Sequence, residues 1–82
     1  MKQVLYFSKT DCAPCNALKP LISELQSEMT IMLIDADTSA ETCRTWNVKS
    51  VPTLLFIQNG METGRLIGNS IQRNKAIEFY NK

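Results

Sequence analysis

Apolar residues along the chain gather into short continuous blocks and one stretch of helical spacing, each closed by polar residues, glycine or proline. The first block, Val4 to Phe7, is short and β-prone, so it predicts a buried strand. After the turn-like Ser8-Lys9-Thr10-Asp11 and Cys12-Ala13-Pro14-Cys15, the residues Leu18, Leu21, Ile22, Leu25 and Met29 recur at helical intervals. They predict an amphipathic helix of about four turns. Pro14 is tolerated near its start, where the missing N–H has no helical partner, and Pro20 predicts a bend inside it. Ile31 to Ile34 predicts a second buried strand, ended by Asp35-Ala36-Asp37. Thr38 and Glu41 have capping-box spacing for a short helix running towards Trp46. Pro52 precedes a third strand, Thr53 to Ile57, and Asn59-Gly60 is a strong hairpin signal leading to a fourth strand that ends near Ile67. Gly68 and Asn69-Ser70 then close that strand and cap a last helix that buries Ala76, Ile77 and Tyr80. The expected order is β-α-β-α-β-β-α in one α/β domain over residues 1–82, with no repeat or linker.

Charge and composition narrow the functions this chain can serve. A formal net charge of +1 makes no electrostatic case for nucleic acid, whose binders carry a clustered basic face. No apolar run approaches the ~20 residues of a membrane span, and the N-terminal apolar stretch is too short for a signal peptide. The chain is therefore expected to be a cytoplasmic monomer. Three cysteines, an odd number, do not describe a disulfide-stapled scaffold, and with no histidine they fall short of the four ligands of structural zinc.

What remains is the pair Cys12 and Cys15, three apart where a strand hands over to a helix. The spacing lets two sulfurs meet in a reversible disulfide, and a helix start favours a thiolate. Cys15 lies three residues before Leu18 and seven before Ile22, so it shares the buried stripe. Cys12 sits one turn earlier, where water and a partner can reach it. Cys12 is thus the expected attacking thiolate and Cys15 the buried resolving thiol. The alternative from the residues alone is an inert pair packed in the core. Cys43 is left over; it shares a helix face with Ala40, and packing is its default role, with a regulatory or dimer-forming thiol as the alternative. Lys9, Lys49 and Arg65 are expected to be solvated charges.

Cys12-Ala13-Pro14-Cys15, Pro20 five residues on, Val51-Pro52-Thr53-Leu54-Leu55-Phe56, Asn59-Gly60 and Gly68 together resemble the thioredoxin family over nearly the whole chain. The sequence begins at the strand leading to the cysteines, without the family's usual extra strand and helix before it. It is thus similar to the minimal thioredoxin fold shared with glutaredoxins. The resemblance implies a four-stranded mixed sheet flanked by three helices. It also implies a cis-proline at Pro52 facing the cysteines, with Val51, Pro52 and Thr53 binding an extended client segment. Its implied partners are disulfide-containing client proteins, ribonucleotide reductase among them, and a thioredoxin reductase. The resemblance implies no bound cofactor, with NADPH and flavin belonging to the reductase.

Several residues depart from the family pattern. Asp11 stands where tryptophan usually precedes the first cysteine, and Ala13 replaces glycine. Tyr6 occupies the position of a buried carboxylate that assists proton transfer to the resolving thiol. Asp11 opposes ionisation of Cys12 by like charge while Lys9 assists it. A glutaredoxin-like, glutathione-dependent reductase is the nearest rival, since Ser50-Val51-Pro52 resembles the proline motif of that group. Yet Asn69-Ser70 replaces its usual Gly-Gly and acidic pair. A thioredoxin-fold binding subunit with idle cysteines is the alternative from a different class. Pro14 and Asp11 point to a reductant, with a potential nearer the roughly −270 mV of thioredoxin than the roughly −120 mV of a strong oxidase.

Overall fold

The computed structural model describes residues 1–82. Strand β1 is Lys2–Ser8, helix α1 is Ala13–Ala17, helix α2 is Lys19–Leu25 and strand β2 is Ile31–Asp35. Helix α3 (Ala40–Thr45), strands β3 (Thr53–Gln58) and β4 (Met61–Ile67), and helix α4 (Arg73–Tyr80) complete the chain. The sheet order is β2-β1-β3-β4, with β1 parallel to β2 and antiparallel to β3, and β3 antiparallel to β4. This is the expected α/β fold with a four-stranded mixed sheet. No helix is long and apolar enough to cross a membrane.

The two central strands explain the continuous apolar blocks. Val4 to Phe7 and Thr53 to Ile57 are buried throughout, because both sheet faces are covered. Alternate side chains feed two clusters. Val4, Tyr6, Leu54 and Phe56 join Ile22, Leu25 and Met29 under α2 and α4, in a cluster of 11 buried residues. Leu5, Phe7, Leu55 and Ile57 form a cluster of 4 under α3, with half-buried Cys43, Trp46 and Val48 against them.

Several expectations about boundaries are corrected. The four-turn helix is two helices broken at Leu18, and regular helix ends at Leu25 rather than Met29. Pro20 has no N–H for the Asn16 carbonyl, and the Leu18 N–H turns back to the Cys15 carbonyl at 3.1 Å. Strand β2 is an edge strand, not a buried one: Met32 and Leu33 are 57% and 60% exposed. The capping box does not form. The first bond of α3 runs from the Cys43 N–H to the Ser39 carbonyl, while the Thr38 hydroxyl donates to the Asp35 carbonyl. Likewise Gly68–Ser70 form a 3-10 turn, and α4 starts from Gln72. The hairpin is as expected: Asn59 and Gly60 have φ of 54° and 82°, the positive pair that a two-residue type I′ turn requires.

Candidate active site

The Cys12 backbone is extended and caps α1, so the turn after central strand β1 leads into the helix with this residue at its mouth. Cys12 and Cys15 are joined in a disulfide, their Cα atoms 5.2 Å apart. The Cys15 N–H donates to the Cys12 sulfur at 3.2 Å, a first-turn donor aimed at the atom that would carry thiolate charge. Burial separates the two less than expected: Cys12 is 7% exposed and Cys15 2%. Direction separates them clearly. Cys12 lines a cleft of about 670 Å³ on the α3 side, together with Asp11, Pro14, Cys43, Lys49 and Val51. Cys15 lines a different cavity of about 310 Å³ at the ends of β1 and β2.

The proline loop closes the cleft from the other side. The Val51–Pro52 peptide is cis. Half-buried Val51 lines the cleft, and neither its N–H nor its carbonyl has a hydrogen-bond partner in the chain. Pro52 and Thr53 are buried, and neither lines the cleft. The Pro52 carbonyl accepts the Gly68 N–H at 3.0 Å, and the Thr53 hydroxyl donates to the Ser50 carbonyl at 2.8 Å. Of these three residues only Val51 lines the cleft, and its backbone polar groups are the unpaired ones.

Tyr6 stands beneath the pair. Its hydroxyl donates to the Cys15 carbonyl at 3.4 Å, and burial pushes its phenol above the usual range. It remains a neutral donor and cannot serve as a base at neutral pH. Cys43 is both core and cleft wall: it packs on the α3-side cluster while facing the cavity that Cys12 lines.

Arg65 corrects the expectation of a solvated charge. Its side chain is 23% exposed and donates to the Trp46 carbonyl at 2.7 Å and the Asn47 carbonyl at 3.3 Å, satisfying the end of α3. A two-pronged pair with Glu62 holds the guanidinium in place, at 2.6 and 2.8 Å. The register shift between Phe56 and Ile57 makes this pair geometrically available. In a regular strand residues 62 and 65 would face opposite sides. The bulge sets Glu62 opposite Ile57 and Arg65 opposite Leu55, on the same face. The Arg65 hydrogen bond, with its charge, holds the Glu62 carboxyl below its usual range.

Sequence reasoning took Arg65 for a solvated charge and gave no role to Asp35, which lines the Cys15 cavity. Only the bulge identifies the first. The parallel register that sets Asp35 beside Ser8 identifies the second, and neither is visible in residue order.

A four-stranded mixed sheet with a dithiol–disulfide pair at a helix mouth defines a class of redox-active α/β domain. Comparison with known proteins specifies it. The family model for thioredoxin matches residues 1–82, and the chain belongs to the thioredoxin family. The TPR repeat-containing thioredoxin TDX of Arabidopsis thaliana is 37% identical over 68 residues, covering 79% of this chain and 18% of that protein. Thioredoxin H9 of the same plant is 35% identical over 68 residues, covering 79% of this chain and 49% of that protein. The chain thus spans about half, or less, of the length of these relatives. Among solved structures, Fasciola hepatica thioredoxin superposes with a TM-score of 0.85 at 26% identity, covering 98% of this chain and 78% of that one. Schistosoma mansoni thioredoxin has the same TM-score at 29% identity, covering 98% and 74%.

Proposed function

We propose that this chain is a thioredoxin-like protein-disulfide reductase, with Cys12 as nucleophile and Cys15 as resolving thiol. One observation carries this: Cys12 and Val51, whose backbone N–H and carbonyl are unpaired, line one cleft. An extended client segment can add its own N–H and carbonyl to Val51 as a short strand pairing, which lays its disulfide against Cys12. The Cys12 thiolate attacks a client sulfur, and the client's other sulfur leaves as thiolate. Cys15 then attacks Cys12, releasing the second client thiol and closing the Cys12–Cys15 disulfide. Pro52 and Thr53 serve by fixing the Val51 loop.

Family membership supports recharging by a thioredoxin reductase, whose NADPH and flavin supply the electrons; this chain binds neither in the proposed cycle. Disulfide-bearing proteins such as ribonucleotide reductase are the client class, and the working form is a cytoplasmic monomer. The test is insulin-disulfide reduction coupled to NADPH and a thioredoxin reductase, run beside a glutathione-coupled assay. Turnover only with the reductase is expected. Turnover only with glutathione would move the chain to the glutaredoxin reading, and turnover with neither would leave the cysteines idle. In a glutathione redox buffer the potential is expected nearer roughly −270 mV than roughly −120 mV; a value more oxidising than about −180 mV would overturn the reducing direction.

A further inference from the structure

The resolving step makes a demand that the cleft does not meet. Cys15 is 2% exposed, and burial in low dielectric disfavours a thiolate. Before it can attack, its proton must go somewhere. Cys15 does not line the cleft where the client sits; it lines the separate cavity of about 310 Å³ on the α2 side of the sheet. That volume has room for water. The charged and titratable groups facing it are Tyr6 from β1, Lys9 from the loop after it, Lys19 from α2 and Asp35 from β2. Each ammonium has only donors to offer. The Tyr6 hydroxyl is committed to the Cys15 carbonyl. That leaves one anionic acceptor. Asp35 is placed there by the parallel register of β1 and β2, which sets it beside Ser8 at the strand ends. One of its carboxylate oxygens accepts the Asp37 N–H at 2.9 Å, and the other has no partner in the chain.

We infer that the Asp35 carboxylate, through water in this cavity, takes the proton of the Cys15 thiol during the resolving step. The assignment rests on the dithiol exchange proposed above. The Cys15 S–H bond breaks and its proton passes by water to Asp35. The Cys15 electron pair forms the bond to Cys12, and the bond between Cys12 and the client sulfur breaks. The client sulfur leaves as thiolate into the cleft and is protonated there by solvent. Asp35 returns its proton to bulk water through the open side of the cavity. The two sides of the sheet thereby separate client traffic from proton traffic.

Reaction with dithiobis(nitrobenzoate) resolves the two steps. Attack by Cys12 releases one coloured thiolate, and attack by Cys15 releases a second. The measurement uses the reduced chain carrying Cys43→Ser, so that the third thiol adds no colour, and follows both releases by stopped flow from about pH 6 to about pH 9. Adding Asp35→Asn is expected to slow the second release roughly tenfold near neutral pH, below the roughly hundredfold or more of direct general-base catalysis because water intervenes. The deficit closes at high pH, where the thiol ionises unaided. The first release is expected to change less than about twofold, a margin too small for general-base loss. Asp35→Glu should recover most of the second step. The asparagine oxygen can still accept the Asp37 N–H; should that variant fail to fold, Asp35→Ser gives the same comparison. A second release unchanged across the pH range, or both releases slowing together, would overturn the role of Asp35. If the parent releases only one thiolate, dithiol exchange itself fails, and this assignment with it.

Discussion

Leu54 and Leu55 are neighbours in β3, both fully buried, and they serve different halves of the molecule. Leu54 points into the thick layer under α2 and α4, whose cluster also takes residues from all four strands. Leu55 points into the thin layer under α3, where four buried side chains meet a rim of half-buried ones. The cleft and the Val51 loop lie on the thin side. Its shortage of buried apolar area is made up by polar ties, above all Arg65 to the carbonyls ending α3. The lesson is a division of labour: one face carries the stability, and the other is left open enough to admit a client backbone.

The largest effects should appear where the two sides meet, at the cysteines. Cys12→Ser is expected to bring insulin reduction down to the rate without protein, and to trap no client. Cys15→Ser should instead accumulate mixed disulfides with clients, visible on non-reducing gels and released by dithiothreitol. Trapping by the Cys12 variant would reverse the assignment of roles, and with it the assignment of cleft and cavity.

The asymmetry of the faces is tested next by two truncations in one strand. Leu54→Ala is expected to cost about 4 kcal/mol in urea unfolding, and Leu55→Ala about 2 to 3 kcal/mol, because the thin layer can settle into the space left. Equal costs would mean that α3 is packed as firmly as α2 and α4, and the proposed division would fall.

Arg65→Met should cost about 1 to 2 kcal/mol, since it leaves partly buried carbonyls and Glu62 unpaired. It should also raise the KM for protein clients more than it lowers kcat, because the tie positions the loop after α3 and touches no reacting atom. A matching pH signature follows from Glu62. Its carboxyl is held low in the folded state, so the ionised form favours folding. That contribution is fully present above the unfolded carboxyl range near about 4.3 and is lost as pH falls through the lower folded value. The difference in Tm between the native chain and Glu62→Gln should therefore shrink on going from neutral pH to below about 4. The effect is modest, because the pair is partly exposed. A difference that grows with acid would contradict the sign.

The smallest effects should lie on the outer edge of the sheet. Met32→Thr and Leu33→Thr should each change stability by no more than about 0.5 kcal/mol, since both side chains are already more than half exposed. A cost of several kcal/mol there would mean that the edge is covered in solution.

By itself the sequence determined the elements whose causes are local. The Val4–Phe7 and Thr53–Ile57 blocks read as strands, because short β-prone apolar runs bounded by turn residues carry that signature locally. Asn59-Gly60 had to turn, because both residues accept the positive φ of a tight hairpin. Cys12 and Cys15 had to be candidates, because their spacing alone brings two sulfurs within bonding reach. Tertiary structure decided the rest. Whether Ile31–Ile34 was central or at an edge depended on how many strands lay beyond it, which no local pattern encodes. Which side of the sheet each sulfur faces depended on the hand-over from β1 to α1 and on what packs around it. Asp35 and Arg65 gained their roles only from a strand register and a bulge, because a side chain's partners across a sheet are fixed by pairing rather than by sequence distance.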